Sequence, residues 1–146
     1  MSGETLLNGV YLFAGATKED LAGLLAIATL TKYAQGQLVF NEGDEANAMF
    51  VVELGTVEIV ATGKELAVVT VGSGQAVGEV AFFTRGKRPG SARTKEASQI
   101  YRIPFDRLDA LLAARPTLAM SFYRNASGFL ARHLRTLLGD LDRRYF

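Results

Sequence analysis

The chain has no cysteine and a single histidine. The first absence removes disulfides, zinc–thiolate sites and thiol chemistry together. One imidazole, that of His133, cannot furnish a histidine-rich metal centre, so neither a metal nor a cofactor is expected. An excess of either charge is missing too: 16 Lys and Arg against 15 Asp and Glu leave a formal net charge of +1. Such a balance gives no bulk attraction to nucleic acid or to an anionic membrane, so any anion must be caught locally. Long apolar runs are also lacking. The most apolar stretch, Leu21 to Leu30, is too short to cross a bilayer and directly follows Lys18, Glu19 and Asp20. No basic stretch precedes an apolar core at the N-terminus, so no secretory leader is expected, and a cytoplasmic protein without a membrane partner is.

What is present suits one folded body. A length of 146 residues with 49% hydrophobic and 21% charged side chains supports a single domain, residues 1–146, with a real core. Thr17-Lys18-Glu19-Asp20 reads as a helix start, a capping hydroxyl followed by acids at the positive end of the dipole. Leu21, Leu24, Leu25 and Ala28 then share one face. From Gln37 to Ile103 the period shortens to apolar or alternating runs, broken by turn residues. The runs are Leu38–Phe40, Met49–Val52, Val57–Val60, Leu66–Val71 after a turn at Thr62–Lys64, and Gln99–Ile103. They predict a mainly β fold with flanking helices: a jelly-roll barrel, or double-stranded β-helix, over residues 32–103. An N-terminal helix precedes it, and closing helices over residues 105–142 end in one long C-terminal helix.

That last helix is expected from Thr117 to Asp142, after a proline suited to an opening turn. Tyr123, Ala126, Leu130, Leu134, Leu137 and Leu141 recur at steps of three and four, a narrow stripe. Packing on the chain's own barrel would satisfy it, and so would a partner helix; its length and position favour a homodimer seam.

The segment Gly78 to Ala92, GEVAFFTRGKRPGSA, mixes one acid, two glycine-bearing turns and several cations. Gly78 to Phe82 can form one helical turn whose first amides are unpartnered, behind a glycine that lets a ligand approach the backbone. Free amides of that kind bind anions. Glu79 beside them would repel an anion unless a neutral hydroxyl intervened, while Lys87, Arg88 and Arg93 supply cations across the loop. The same residues also describe a capped turn followed by a solvated basic connection.

In order and spacing, the chain resembles the cyclic-nucleotide-binding domain family of catabolite-activator-type regulators, kinase regulatory subunits and several ion channels. The likeness rests on Leu12-Phe13, Gly36, Asn41-Glu42-Gly43-Asp44, Phe50 to Val57, Gly74 to Ala81 and Ile103-Pro104-Phe105. It implies that the quoted segment is a phosphate-binding cassette for cyclic AMP or cyclic GMP. Gly78, Glu79, Val80 and Ala81 match residue for residue: the glycine and following amides hold the cyclic phosphate, and Glu79 accepts from the ribose 2′-hydroxyl. The family's arginine, which pairs with an exocyclic phosphate oxygen, usually stands directly before two small residues. Here Gly90 precedes Ser91 and Ala92, whereas Arg88 lies nine positions after Glu79, with Pro89-Gly90 then reading as a small insertion. Arg88, Ser91 and Ala92 complete the expected contacts, and a gapless count from Pro116 brings His133 to where activator-type members reach the base.

The resemblance implies a non-catalytic sensor that relays ligand binding through its C-terminal helix. The alternative keeps the fold and discards cyclic nucleotides, leaving a divergent module that binds another small anion or nothing and acts through dimerisation or protein contact. DNA is not an expected partner, because Phe146 leaves no room for a helix-turn-helix unless a downstream domain follows. Catalysis is not expected, since Glu79 has no paired acid or nucleophile near it in sequence.

Overall fold

The computed structural model describes residues 2–61 and 69–139. The expected turn at Thr62–Lys64, the strand start at Leu66–Val68, and Leu141 and Asp142 lie outside the described residues.

The chain opens with α1 (Gly3–Asn8), capped by the Ser2 side chain, and a 3₁₀ turn (Tyr11–Phe13). In α2 (Lys18–Ile27) the capping box closes both ways: Thr17 Oγ1 accepts from the Asp20 amide, and Asp20 Oδ2 accepts from the Thr17 amide. The buried Asp20 carboxylate also accepts from Arg115 Nε, which ties α2 to the start of the last helix. Despite its burial, these hydrogen bonds and the guanidinium hold the Asp20 carboxyl below its ordinary value. Ala28, expected on the helix face, is already extended and leads into a strand.

Eight strands follow among the described residues: β1 (Thr29–Tyr33), β2 (Leu38–Phe40), β3 (Ala48–Leu54), β4 (Val57–Ala61), β5 (Val69–Val71), β6 (Ala76–Val77), β7 (Gly90–Thr94) and β8 (Ser98–Pro104). They form two four-stranded antiparallel sheets, β1-β8-β3-β6 and β2-β7-β4-β5. Strand β3 shows how the layers divide. Ala48, Phe50 and Val52 point into the barrel, where they meet Val57, Val77, Ala92 and Ile100. Met49 and Val51 point the other way, into a second core made with the helices. A strand buried on both faces loses the polar alternation of an ordinary surface strand, which is why its whole run is apolar.

The jelly-roll with flanking helices is therefore as expected, but it starts earlier. Strand β1 is mostly exposed and has no apolar alternation, so only its pairing with β8, Thr29 opposite Arg102 through Tyr33 opposite Ser98, makes it a strand. Strand β7 is likewise poor in apolar residues and is held between β2 and β4.

After the barrel come α4 (Phe105–Ala114) and α5 (Pro116–Leu138), with α3 (Ala81–Thr84) inserted earlier between β6 and β7. The first half of α5 buries Leu118, Phe122 and Ala126 on the chain's own body. The expected seam thus splits: Ala126 belongs to the core, whereas Tyr123, Leu130, Leu134 and Leu137 are exposed, joined by Met120.

Candidate functional site

Strand β6 ends at Val77, and Gly78 turns the chain with φ of 75°. Only glycine adopts that conformation without strain, and a Cβ there would also lie 2.5 Å from Arg88 Nη1 and 3.1 Å from the Phe40 ring. Glu79 and Val80 follow, and α3 begins. The amides of Val80 and Ala81 meet no acceptor among the described residues, which leaves two adjacent donors beside the glycine. Val80 is exposed and Ala81 buried, so the short helix is anchored by Ala81 and Phe82 while its leading turn stays accessible.

The helix stops at Arg85, the one described non-glycine residue with positive φ, at 54°. Arg85 Nη2 donates to both carboxylate oxygens of Asp109 on α4, at 2.7 and 2.6 Å, and its guanidinium lies 4.5 Å above the Phe82 ring. The chain then pairs with residues 43–46: Ala46 donates to the Gly86 carbonyl, and Arg88 exchanges backbone hydrogen bonds with Gly43 and Asp44.

That clamp sends the Arg88 side chain inward. Its residue is 4% exposed, its Nη1 donates to the Gly78 carbonyl at 3.0 Å, and its Nη2 donates to the Ala48 carbonyl. The guanidinium rests 4.1 Å from the Phe40 ring centroid. Burial pulls its pKa below the ordinary value, with Asp44 and Glu79 opposing from a distance. Strand β7 pairs with β4 in unbroken register from Gly90 opposite Ala61 to Thr94 opposite Val57. Gly90 is required by close approach, because a Cβ there would sit 2.7 Å from the Val60 carbonyl oxygen.

Glu79 stands across from Arg88 and is half-buried. Burial pushes its carboxyl above the usual carboxylate range, while its own backbone N–H, the Tyr11 hydroxyl and the Arg88 charge pull it back. The Tyr11 hydroxyl donates to Glu79 Oε1 at 3.3 Å. Sequence reasoning missed this partner, since 68 positions separate the two residues and no local pattern joins them.

Other expected site residues divide. Ala92 is fully buried in the barrel interior. The Ser91 hydroxyl is committed to the Asn41–Glu42 turn, donating to Asn41 Oδ1 and accepting from the Glu42 amide, both at 2.9 Å. His133 is exposed on α5 and lies nearly parallel to Phe129, with ring centroids 5.9 Å apart, and Phe129 in turn stacks on Tyr11.

A barrel in which a left-handed glycine, two free amides, a buried arginine and a half-buried glutamate converge has clear relatives. The family model for the cyclic nucleotide-binding domain matches residues 30–115. The chain belongs to the cyclic nucleotide-binding domain family. This cyclic nucleotide-binding domain is 29% identical over 139 residues to the cyclic AMP receptor protein of Thermus thermophilus, covering 93% of this chain and 62% of the receptor. The chain spans 34% and 62% of the lengths of two curated relatives it matches. Among solved structures, the N-terminal domain of a transcriptional regulator from Streptomyces coelicolor A3(2) superposes with a TM-score of 0.82 at 25% identity. That likeness covers 91% of this chain and 95% of the other. The regulatory domain of Toxoplasma gondii PKA, solved with cAMP, shares the fold with a TM-score of 0.72 at 22% identity, over 96% of this chain and 52% of that one.

The domain family is a regulatory, ligand-binding one. Among the described residues no group of three or more His, Cys, Asp or Glu is placed to hold a metal ion. No described helix is long and apolar enough to cross a membrane.

Proposed function

We propose that this domain is a non-catalytic module that takes cyclic AMP or cyclic GMP into its barrel and relays the event through α5. Gly78 with the amides of Val80 and Ala81 would receive the cyclic phosphate, Arg88 would pair with an exocyclic oxygen, and Glu79 would accept from the ribose 2′-hydroxyl. Ala92 gives the floor its small volume, and Ser91 acts at one remove by holding the Asn41–Glu42 turn against β7. His133 is the α5 residue assigned to the base.

The observation that carries this reading is the state of Arg88. Among the described residues, this guanidinium at 4% exposure has only neutral carbonyls as hydrogen-bond partners, and a buried charge without a contacting countercharge is costly. A cyclic phosphate supplies that countercharge, with charge-assisted bonds of roughly 1.5 to 3 kcal/mol each. The neighbouring receptor and kinase domains, named for cyclic AMP, support the same ligand class.

For a partner, the reading assigns a second copy of the chain. Met120, Tyr123, Leu130, Leu134 and Leu137 follow heptad spacing along the exposed side of α5, the pattern of a helix-pairing seam. Sedimentation equilibrium of wild type and Leu134→Glu tests it: a dimer converted to a folded monomer supports the seam, and a wild-type monomer removes it.

The two carbonyl hydrogen bonds of Arg88 favour a second reading, in which the guanidinium is a strut between β3 and the cassette and the domain binds no cyclic nucleotide. Isothermal titration with cyclic AMP and cyclic GMP, on protein freed of copurified ligand, decides between them. Binding heat in wild type that disappears in Glu79→Ala and Arg88→Ala supports the sensor. Silence of wild type at millimolar ligand supports the strut.

A further inference from the structure

The Tyr11–Glu79 hydrogen bond does more than satisfy two polar groups, because of what holds Tyr11. Its ring is stacked on Phe129 of α5, with centroids 4.3 Å apart and planes 24° apart. Asn125 of α5 donates to the carbonyls of Leu12 and Ala14, at 3.0 and 2.9 Å, so the middle and the C-terminal end of the 3₁₀ turn are fastened to the same helix. Phe13 completes the attachment by stacking on Phe122 at 6.1 Å. The turn and α5 thus form one body, and the phenol oxygen is the point at which that body reaches the carboxylate of the cassette.

We propose that Tyr11 is a positioning residue: its hydroxyl fixes Glu79 Oε1, leaving Oε2 to accept from a ligand hydroxyl, and its stacking on Phe129 makes that grip depend on where α5 lies. The proposal rests on the assignment of Glu79 as the ligand's hydroxyl acceptor. A carboxylate offers about four lone-pair sites, so a phenol and a ligand hydroxyl are accommodated together. The phenol is a dependable donor, because burial, and then the Glu79 charge, push its ionisation well above the ordinary tyrosine value. Its effect on Glu79 has a definite sign. Among the described residues, the side chains recorded as acting on the Glu79 carboxyl are Tyr11, from the 3₁₀ turn, and Arg88, from the far arm of the cassette; both favour the ionised form that burial opposes. Withdrawing Tyr11 therefore drives Glu79 toward the neutral acid, a poorer acceptor. Coupling of this kind is reciprocal: whatever holds α5 in place strengthens the site, and whatever fills the site steadies α5.

The test begins without nucleotide. The ionisation of Glu79 is followed by carbon-13 NMR of its side-chain carboxyl in wild type, Tyr11→Phe and Phe129→Ala. Tyr11→Phe removes one oxygen and keeps the stack; Phe129→Ala keeps the oxygen and removes the stack, at a half-buried helix position suited to alanine. An upward shift of the Glu79 midpoint in both variants is the expected result. An unmoved midpoint in either variant overturns the proposal. Titration with cyclic AMP then reads the consequence: Tyr11→Phe should bind about three- to tenfold more weakly at neutral pH, with a larger deficit in acid. Equal or tighter binding by Tyr11→Phe also overturns it. Wild type that takes up no cyclic AMP, with both midpoints shifted, removes the nucleotide reading and leaves the Tyr11–Glu79–Phe129 coupling supported.

Discussion

Arg85 and Arg88 stand three residues apart in one loop and end in opposite surroundings. Each guanidinium lies over a phenylalanine ring, Arg85 at 4.5 Å from Phe82 and Arg88 at 4.1 Å from Phe40. The aromatic platform is therefore not what distinguishes them. Arg85 keeps about half its side chain in water and has its own carboxylate, Asp109. Arg88 is buried and, among the described residues, its guanidinium hydrogen-bonds to carbonyls only. An exposed ion pair contributes roughly 0 to 1 kcal/mol, because water screens it and two long side chains must be ordered. A buried cation without a contacting acid is an electrostatic demand that the fold meets only in part. The outward arm of the loop fastens α3 to α4; the inward arm ties the Gly78 turn to β3.

The sharpest break of that contrast is Arg88→Ala. Loss of one or two charge-assisted bonds should weaken cyclic AMP binding by about one to four decades at 1.4 kcal/mol per decade, read by calorimetry. Gly78→Ala should come next. Its Cβ would displace Arg88 Nη1 from 2.5 Å, and the left-handed backbone adds about 1 to 2 kcal/mol of strain. Chemical denaturation should show the lost stability, and titration a weaker site. Glu79→Gln tests the acid opposite Arg88. Because the Glu79 carboxyl is raised in the folded chain, its stabilising contribution is fully present below the ordinary value of 4.5 and is lost as pH rises through the raised value. Glutamine escapes that loss, so the variant should gain on wild type in denaturation midpoint as pH rises above that ordinary value. A constant difference over that rise would place the Glu79 carboxyl at its ordinary value. The smallest effect belongs to Arg85→Ala: about 0.2 to 1 kcal/mol, shrinking in high salt, with cyclic AMP affinity little changed. Comparable losses of affinity for Arg85→Ala and Arg88→Ala would erase the distinction between the two arms.

A second contrast lies along α5. Its first half buries Leu118, Phe122 and Ala126, while Leu130, Leu134 and Leu137 in its second half face solvent. The helical period marks all six positions equally, since spacing identifies a face and not the surface that covers it. For that reason Ala126 was grouped with the seam and Met120 was not.

The site divides in the same manner. Gly78 and Glu79 were legible because the turn demands a glycine and the family writes an acid after it. Counting from Glu79 points to Arg88, whereas counting from Ser91 and Ala92 points to Gly90; local spacing carries both, and only the fold shows that the Arg88 side chain is buried. The family pattern names Ser91 and Ala92 together, whereas in the fold the Ser91 hydroxyl meets the Asn41–Glu42 turn and Ala92 lies in the barrel interior, because neighbouring residues on a strand face opposite sides. Tyr11 gave no signal at all.

From the order of residues alone came most of the single strands, the capped N-terminal helix at Thr17, the long closing helix and the glycine–glutamate turn. Each depends on interactions between residues a few positions apart, and the periods of strand and helix write those into the chain directly. Closure of the two sheets decided the rest: β1 and β7 as strands, Arg88 turned inward onto Phe40, and Tyr11 brought to Glu79. Those outcomes depend on which surfaces meet, and partners dozens of positions apart share no local spacing for a sequence to record.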